Sequence, residues 1–283
     1  MRATNVVTTY EPDNSLKRGY FRVFREIFSE IRQNRWLIYQ LFKRDFTSLY
    51  KQSFVGILWA FIIPIITVGT FIVLSRSGVF NIGNLNVPYP LYAVLGMAFW
   101  QLFSAGLLAS TKALELAGPM ITQINFSKKS LVIASTGQAL LSFIIQFALA
   151  LVLFAYYRVV PSATILLVPL FIVPLLMLTI GFGLIFSLLN SIVRDVANAL
   201  TLAMTFLLFL TPILYALPAS GAVAAVALHN PLYYLIAVPR SLILTGAMLD
   251  WRAYAISVLL SFAVFVVFIF VFHLTESRVT ERV

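Results

Sequence analysis

The sequence predicts an all-α integral membrane protein of about six transmembrane helices, and three observations lead there. Of its 283 residues 61% are apolar and only 11% charged, with a mean hydropathy of +0.95, where a soluble domain carries about 25% charged residues. The apolar residues gather in runs of about twenty, which at about 1.5 Å rise per residue cover the roughly 30 Å hydrocarbon layer of a bilayer. The ten acidic residues, Glu11, Asp13, Glu26, Glu30, Asp45, Glu115, Asp195, Asp250, Glu276 and Glu281, all fall outside or at the edges of those runs. Little chain is left over for a soluble catalytic domain.

Residues 1–53 are expected to form a cytoplasmic tail with amphipathic interfacial helices, and 54–283 a transmembrane domain. Residues 1 to 15 are polar without an apolar period and read as a tail. From Leu16 to Arg32, Phe21, Phe24, Ile27, Phe28 and Ile31 recur at spacings of three and four among Arg22, Arg25, Glu26 and Arg32, the mark of an amphipathic helix. A second follows, with Tyr39, Phe42, Phe46 and Leu49 on one face and Gln40, Lys43, Arg44, Thr47 and Lys51 on the other. With no soluble core at hand to cover it, this helix is expected in the headgroup plane with its aromatic face down.

Spans are predicted near 54–74, 91–111, 131–157, 162–189, 196–217 and 253–273, with Pro64 inside the first. Residues 218–250 are apolar but interrupted by Pro218, Pro231 and Pro239. Two short re-entrant helices dipping into the outer half of the membrane fit that segment better than a further spanning pair. The N-terminal stretch up to Arg35 is polar and basic, unlike a secretory signal.

Orientation follows from the basic residues. Ten lie in the first 51 positions, three in the link after the second span (Lys112, Lys128, Lys129), one after the fourth (Arg194) and two in the tail (Arg278, Arg282). The other side has Arg76, Arg158, Arg240 and Arg252. The excess of positive charge places both termini in the cytoplasm. The net charge of +10 is therefore read as membrane-surface or protein-docking charge, and not as a nucleic-acid footprint.

Several chemistries lack their residues. There are no cysteines, hence no disulfide framework or thiolate metal site. His229 and His273 have no HExxH spacing and read as interfacial polar residues. No Gly is followed by Lys, which excludes a P-loop; ATP, if it drives this protein, binds to another chain. The absence of ionisable groups deep in the spans speaks against a proton-coupled carrier. What the membrane part offers is aromatic side chains: Tyr89, Tyr92, Phe99, Trp100 and Phe103 around the second span, and Tyr215, Tyr233 and Tyr234 near the outer face. They suit either an interfacial belt or a passage whose flat rings contact sugar C–H faces.

Four blocks in order, LIYQLFKRDFTSLYKQSFVGILWAFIIP from Leu37, YPLYAVLGMAFWQLF from Tyr89, VRDVANALTLAMTFLLFLTPILY from Val193 and HNPLYYLIAVPRSLIL from His229, resemble the permease subunits of type-2 ABC exporters for cell-surface polysaccharides of the O-antigen and teichoic-acid kind. Where that family commonly carries an aromatic-Pro-Arg run in its first cytoplasmic connection, this chain has INFSKKSLV, basic but without proline. The resemblance implies a non-enzymatic subunit of the inner membrane, forming a homodimer bound to two copies of a separate ATPase that holds MgATP, with no cofactor of its own. The implied cargo is a lipid-linked polysaccharide.

On that reading Lys128, Lys129, Arg194 and Asp195 are expected to dock the ATPase, Asp195 also capping the helix it opens. Lys43, Arg44, Asp45 and Lys51 are expected to form a collar that meets the lipid carrier's phosphate, and Tyr89, Tyr92, Phe99, Trp100, Phe103 and Tyr215 to line the passage. Two rival readings share the composition: an exporter of a small lipid or drug, and a membrane enzyme of glycan assembly.

Overall fold

The computed structural model of the chain describes residues 20–51, 58–77, 83, 85–117 and 127–279. The tail at 1–15, residues 54–57 of the first predicted span and Arg282 lie outside them, as do the side chains of Phe21, Phe46, Leu49, Lys51 and Arg278. Among the described residues the elements are α1 (Tyr20–Gln33), α2 (Arg35–Lys51), α3 (Trp59–Arg76), α4 (Tyr89–Leu116), α5 (Lys128–Tyr157), a 3₁₀ turn (Ala163–Leu167) running into α6 (Val168–Ile192), α7 (Asp195–Leu210), α8 (Ala222–His229), α9 (Pro231–Thr245) and α10 (Trp251–Val279). The protein is an all-α, multi-pass membrane protein.

Among the described residues four stretches are long and apolar enough to span a bilayer: α4, α5, the 3₁₀ turn with α6, and α10. Helices α8 and α9, bent by 86° at Asn230, make a fifth if they are taken together. The predicted span at 196–217 is shorter than expected. Helix α7 stops at Leu210 after 16 residues, about 24 Å at 1.5 Å per residue, because Pro212 has no N–H to continue the ladder. The turn that follows lies against α9, with the Pro212 and Ile213 carbonyls accepting from Arg240 and the Thr211 hydroxyl from Asn230.

Helix α4 is the centre of the bundle, packed along α5 and α6, while α10 lies along α6 and α9. With apolar lipid outside, helices gain by close approach more than by hiding apolar surface, and small residues allow it. A Cβ on Gly183 would stand 2.5 Å from the Cβ of Ser110, and one on Gly106 2.8 Å from Thr179 Cγ2, so α4 and α6 meet through reciprocal notches. Hydroxyls inside the helices are satisfied locally: Ser110, Thr111, Thr136, Thr179, Ser257 and Ser261 each donate to the carbonyl four residues earlier. The hydroxyls of Ser110 and Thr136 also stand 2.7 Å apart between α4 and α5, and whichever donates to the other gives up its own carbonyl bond.

The amphipathic helices pack on the bundle along part of their apolar faces. Val23 and Ile27 are buried on α1 and Leu41 on α2, sharing one cluster with Ala113, Leu131, Leu184, Ile269 and Phe272. The bundle therefore supplies the core that a soluble domain would have supplied, and α2 packs on α5, with Phe42 against Gly137. Phe28 and Tyr39, expected on the buried faces, are 65% and 51% exposed. Tyr39 pairs with the exposed Trp36 at 5.8 Å between ring centroids, an outward aromatic pair of the kind that anchors in headgroups.

Candidate functional site

Polar side chains gather at the two ends of the bundle. Helix α4 connects them: Tyr92 stands near its start and Lys112 near its end, about 30 Å apart at 1.5 Å rise per residue, the thickness of a hydrocarbon layer.

At the α1/α2 end, Lys128 and Lys129 open α5. Lys129 is 1% exposed. Its ammonium meets Glu276 Oε2 at 2.5 Å, Glu30 Oε2 at 2.9 Å and His273 Nδ1 at 2.9 Å. Lys128, also buried, donates its Nζ to the Glu276 carbonyl at 2.9 Å and its backbone N–H to the Glu276 carboxylate. Both lysines, expected to dock the ATPase, thus meet partners within the chain itself. The Lys129 charge is taken up inside the chain, tying α1, α5 and α10 together, because an ammonium taken out of water needs carboxylate partners. His273 is likewise more than an interfacial polar residue. Glu30, His273 and Glu276 stand close enough to ligate a metal, and the Lys129 ammonium fills the place such a cation would take. His229, by contrast, is exposed, with Nδ1 2.8 Å from the Ala225 carbonyl oxygen.

Beside this junction Arg44 and Asp45 form an ion pair at 2.7 Å on the wall of a cavity of about 210 Å³ that Lys112, Ser135 and Gln138 also line. Lys43 is exposed on the same helix. Lys112, which the charge count included but the collar did not, joins it because the end of α4 passes alongside α2. Arg194 and Asp195 are exposed at the turn between α6 and α7. The cap of α7, however, is not Asp195: the Ala197 N–H donates to Asn190 Oδ1 at 3.0 Å, and Asn190 Nδ2 donates to Glu115 Oε2 at 2.8 Å. Asn190 reaches forward from the end of α6, and Asp195, already the first helical residue, contributes charge at the positive end of the helix.

The predicted passage aromatics divide. Phe99, Trp100 and Phe103 are 0–4% exposed in the main core, with Phe99 edge-on to Phe143 at 5.2 Å. They pack in the core of the chain, where α4 is covered by α5, α6 and α9. Tyr89 is half-buried, its hydroxyl without a partner among the described residues. Tyr92 and Tyr215 belong to a polar centre at the far end. The Tyr92 hydroxyl donates to the Tyr215 carbonyl at 3.0 Å and accepts from Arg240 Nη2 at 2.6 Å. The Tyr215 hydroxyl donates to the Phe209 carbonyl, and burial, with Tyr92 nearby, pushes its phenol above the ordinary value.

Arg240 is the residue that the sequence reading undervalued. Counted only as an outer-side charge, it is 3% exposed. It donates to the Ile213 carbonyl at 2.5 Å and the Pro212 carbonyl at 3.4 Å, and its guanidinium lies 3.7 Å from the centroid of the Tyr92 ring. Gly96, one turn after Tyr92, leaves the room: a Cβ there would stand 2.6 Å from Arg240 Nη1. A lone basic residue inside an apolar run, as in HNPLYYLIAVPRSLIL, was the available signal. Tyr92, Tyr233, Arg240, Ser241 and Thr245 line a cavity of about 450 Å³ at this end.

Comparison with known proteins agrees with this architecture. The chain is 26% identical over 197 residues to the O-antigen export system permease protein RfbA of Myxococcus xanthus, covering 69% of this chain and 73% of the relative. It is 23% identical over 250 residues to an O-antigen export system permease protein RfbA of Klebsiella pneumoniae, covering 87% and 94%. A second Klebsiella pneumoniae protein of that name is 23% identical over 217 residues, 75% of this chain and 82% of the relative. The model of the ABC-2 type transporter family matches residues 37–244, from α2 through the bent pair, and with that ordered set of elements in place the chain belongs to the ABC-2 type transporter family.

Proposed function

We propose that the chain is the permease subunit of an ATP-driven exporter that moves a lipid-linked polysaccharide, of the O-antigen or teichoic-acid type, from the cytoplasmic to the outer face of the inner membrane. What supports this most is that the family match runs from the interfacial helix α2 to α9, while relatives aligned over 69–87% of this chain are named O-antigen export system permeases. The α1/α2 end is the cytoplasmic end, with both termini there, as the charge distribution argues.

The working unit is a homodimer with two copies of a separate ATP-binding subunit that carries MgATP. Arg194 and Asp195, exposed at the α6–α7 turn, are its docking residues in this chain. Lys43, Arg44 and Lys112 around the smaller cavity meet the carrier's phosphate, since basic side chains at a membrane surface attract phosphate. A passage between two copies is lined by side chains exposed in one copy. On α7 these include Leu202, Phe206 and Phe209, which take over the role first assigned to Phe99, Trp100 and Phe103.

The test is to co-purify the chain with its ATPase in lipid and measure hydrolysis against added cargo. Lipid-linked polysaccharide should stimulate it. Hydrolysis that ignores every glycan and rises with a small lipid or drug would transfer the chain to that rival cargo.

A further inference from the structure

The Arg240 centre carries a charge that its own packing does not neutralise. Among the described residues no carboxylate pairs with Arg240; its partners are the Pro212 and Ile213 carbonyls, the Tyr92 hydroxyl and the Tyr92 ring. Dipoles orient a guanidinium, but a cation held in apolar surroundings still gains most from an anion. A guanidinium has five N–H donors, and the hydrogen bonds to Ile213, Tyr92 and Pro212 use three of them.

The side chain lines the cavity of about 450 Å³, whose other walls are mainly apolar: Leu217, Ala237, Leu244 and Leu249, with the Tyr233 ring. The hydroxyls of Ser241 and Thr245 lie on the same wall but are engaged locally, donating to the Ala247 and Ser241 carbonyls, with Thr245 Oγ1 accepting the Ala247 N–H at 3.3 Å, which leaves Arg240 as the cavity's anion donor. Met248, Leu249 and Trp251, at the same end, are 49–60% exposed, an apolar rim suited to acyl or isoprenyl chains. Apolar walls, an apolar rim and one buried cation describe a receptor for an amphiphilic anion better than one for a free sugar, whose hydroxyls need many polar partners.

We propose that this cavity binds the phosphate head of a lipid, with Arg240 as the anion's partner, held in place by Tyr92 and the Gly96 notch. Together with the Arg44–Lys112 cavity about 30 Å away along α4, it gives the bundle a lipid-phosphate site at each membrane face. The inference deepens the exporter reading and rests on it for the direction of movement, while the binding itself is independent of transport.

Native mass spectrometry of the full chain in detergent, titrated with isoprenyl monophosphate, phosphatidylglycerol, uncharged isoprenol and inorganic phosphate, tests it. The wild type should retain isoprenyl monophosphate, and Arg240→Gln should weaken that binding about tenfold or more, as expected for loss of a charge-assisted hydrogen bond. Isoprenol should bind both alike. Phosphatidylglycerol retained with the same dependence on Arg240 also supports the site and names bulk lipid as the source; selectivity for the isoprenyl phosphate names the carrier.

Thr245→Trp, which fills the cavity wall without touching the Arg240 hydrogen bonds, should also lose the phospholipid signal, so the proposal does not depend on Arg240→Gln folding. Equal retention by wild type and both variants overturns the site, and inorganic phosphate bound as tightly as the lipids overturns the lipid assignment. Arg240-dependent lipid binding alongside an ATPase indifferent to glycans keeps this site and sinks the exporter reading. Glycan-stimulated hydrolysis with Arg240-independent lipid binding does the reverse.

Discussion

Replacing Lys129 by Met would leave the Glu30 and Glu276 carboxylates facing each other without the ammonium that joins them. Removing one partner of a buried ionic group costs about 3–5 kcal/mol, so Lys129→Met should lower the thermal unfolding midpoint in detergent, and adding Glu276→Gln should recover part of the loss. A docking charge would behave oppositely, with stability unchanged and ATPase co-purification weakened. Nothing local in the sequence distinguishes these roles. Two lysines at the head of an apolar run look the same whether they face water or carboxylates supplied by both ends of the chain. Trp100 makes the same point with apolar chemistry: at 3% exposure, Trp100→Ala should cost about 3–5 kcal/mol by opening a cavity. The measurement is the unfolding midpoint, which falls if Trp100 is core and stays put if it lines a passage.

At the scale of elements, composition and periodicity found the helices because apolar run length is a local property. They did not find which side of a helix is covered. On α2 the pattern pointed to Tyr39, yet within the bundle Leu41 is the buried residue, since burial there is decided by contact with neighbouring helices such as α5, which periodicity on α2 alone does not reveal. The shortness of α7 was legible in Pro212, although the apolar run continues past it. Close helix approach predicts a sharp contrast between glycines. Gly183→Val should part α4 from α6, because a Cβ there would stand 2.5 Å from Ser110 Cβ, whereas Gly69→Ala meets nothing within 4 Å and should leave the folded yield unchanged. Size-exclusion profiles and membrane yield of the two variants compare them directly.

For the whole molecule, the absence of native cysteine makes orientation directly testable. In intact cells a membrane-impermeant thiol reagent should label Asp250→Cys, while Arg194→Cys should react only after permeabilisation; the reverse pattern would invert the chain in the membrane. The family was legible because its ordered blocks lie in sequence, whereas the Arg240 centre was not, because it assembles from α4, the 211–215 turn and α9. The Lys129 junction has a consequence for how the protein is made. Its members come from the beginning, the middle and nearly the end of the chain, and synthesis runs from the N-terminus. Glu30 and Lys129 therefore wait through much of translation for α10, and the junction closes only when His273 and Glu276 arrive with it. A nascent chain that has not yet reached α10 holds Lys129 against Glu30 alone, an electrostatic joint with one of its two carboxylates still missing.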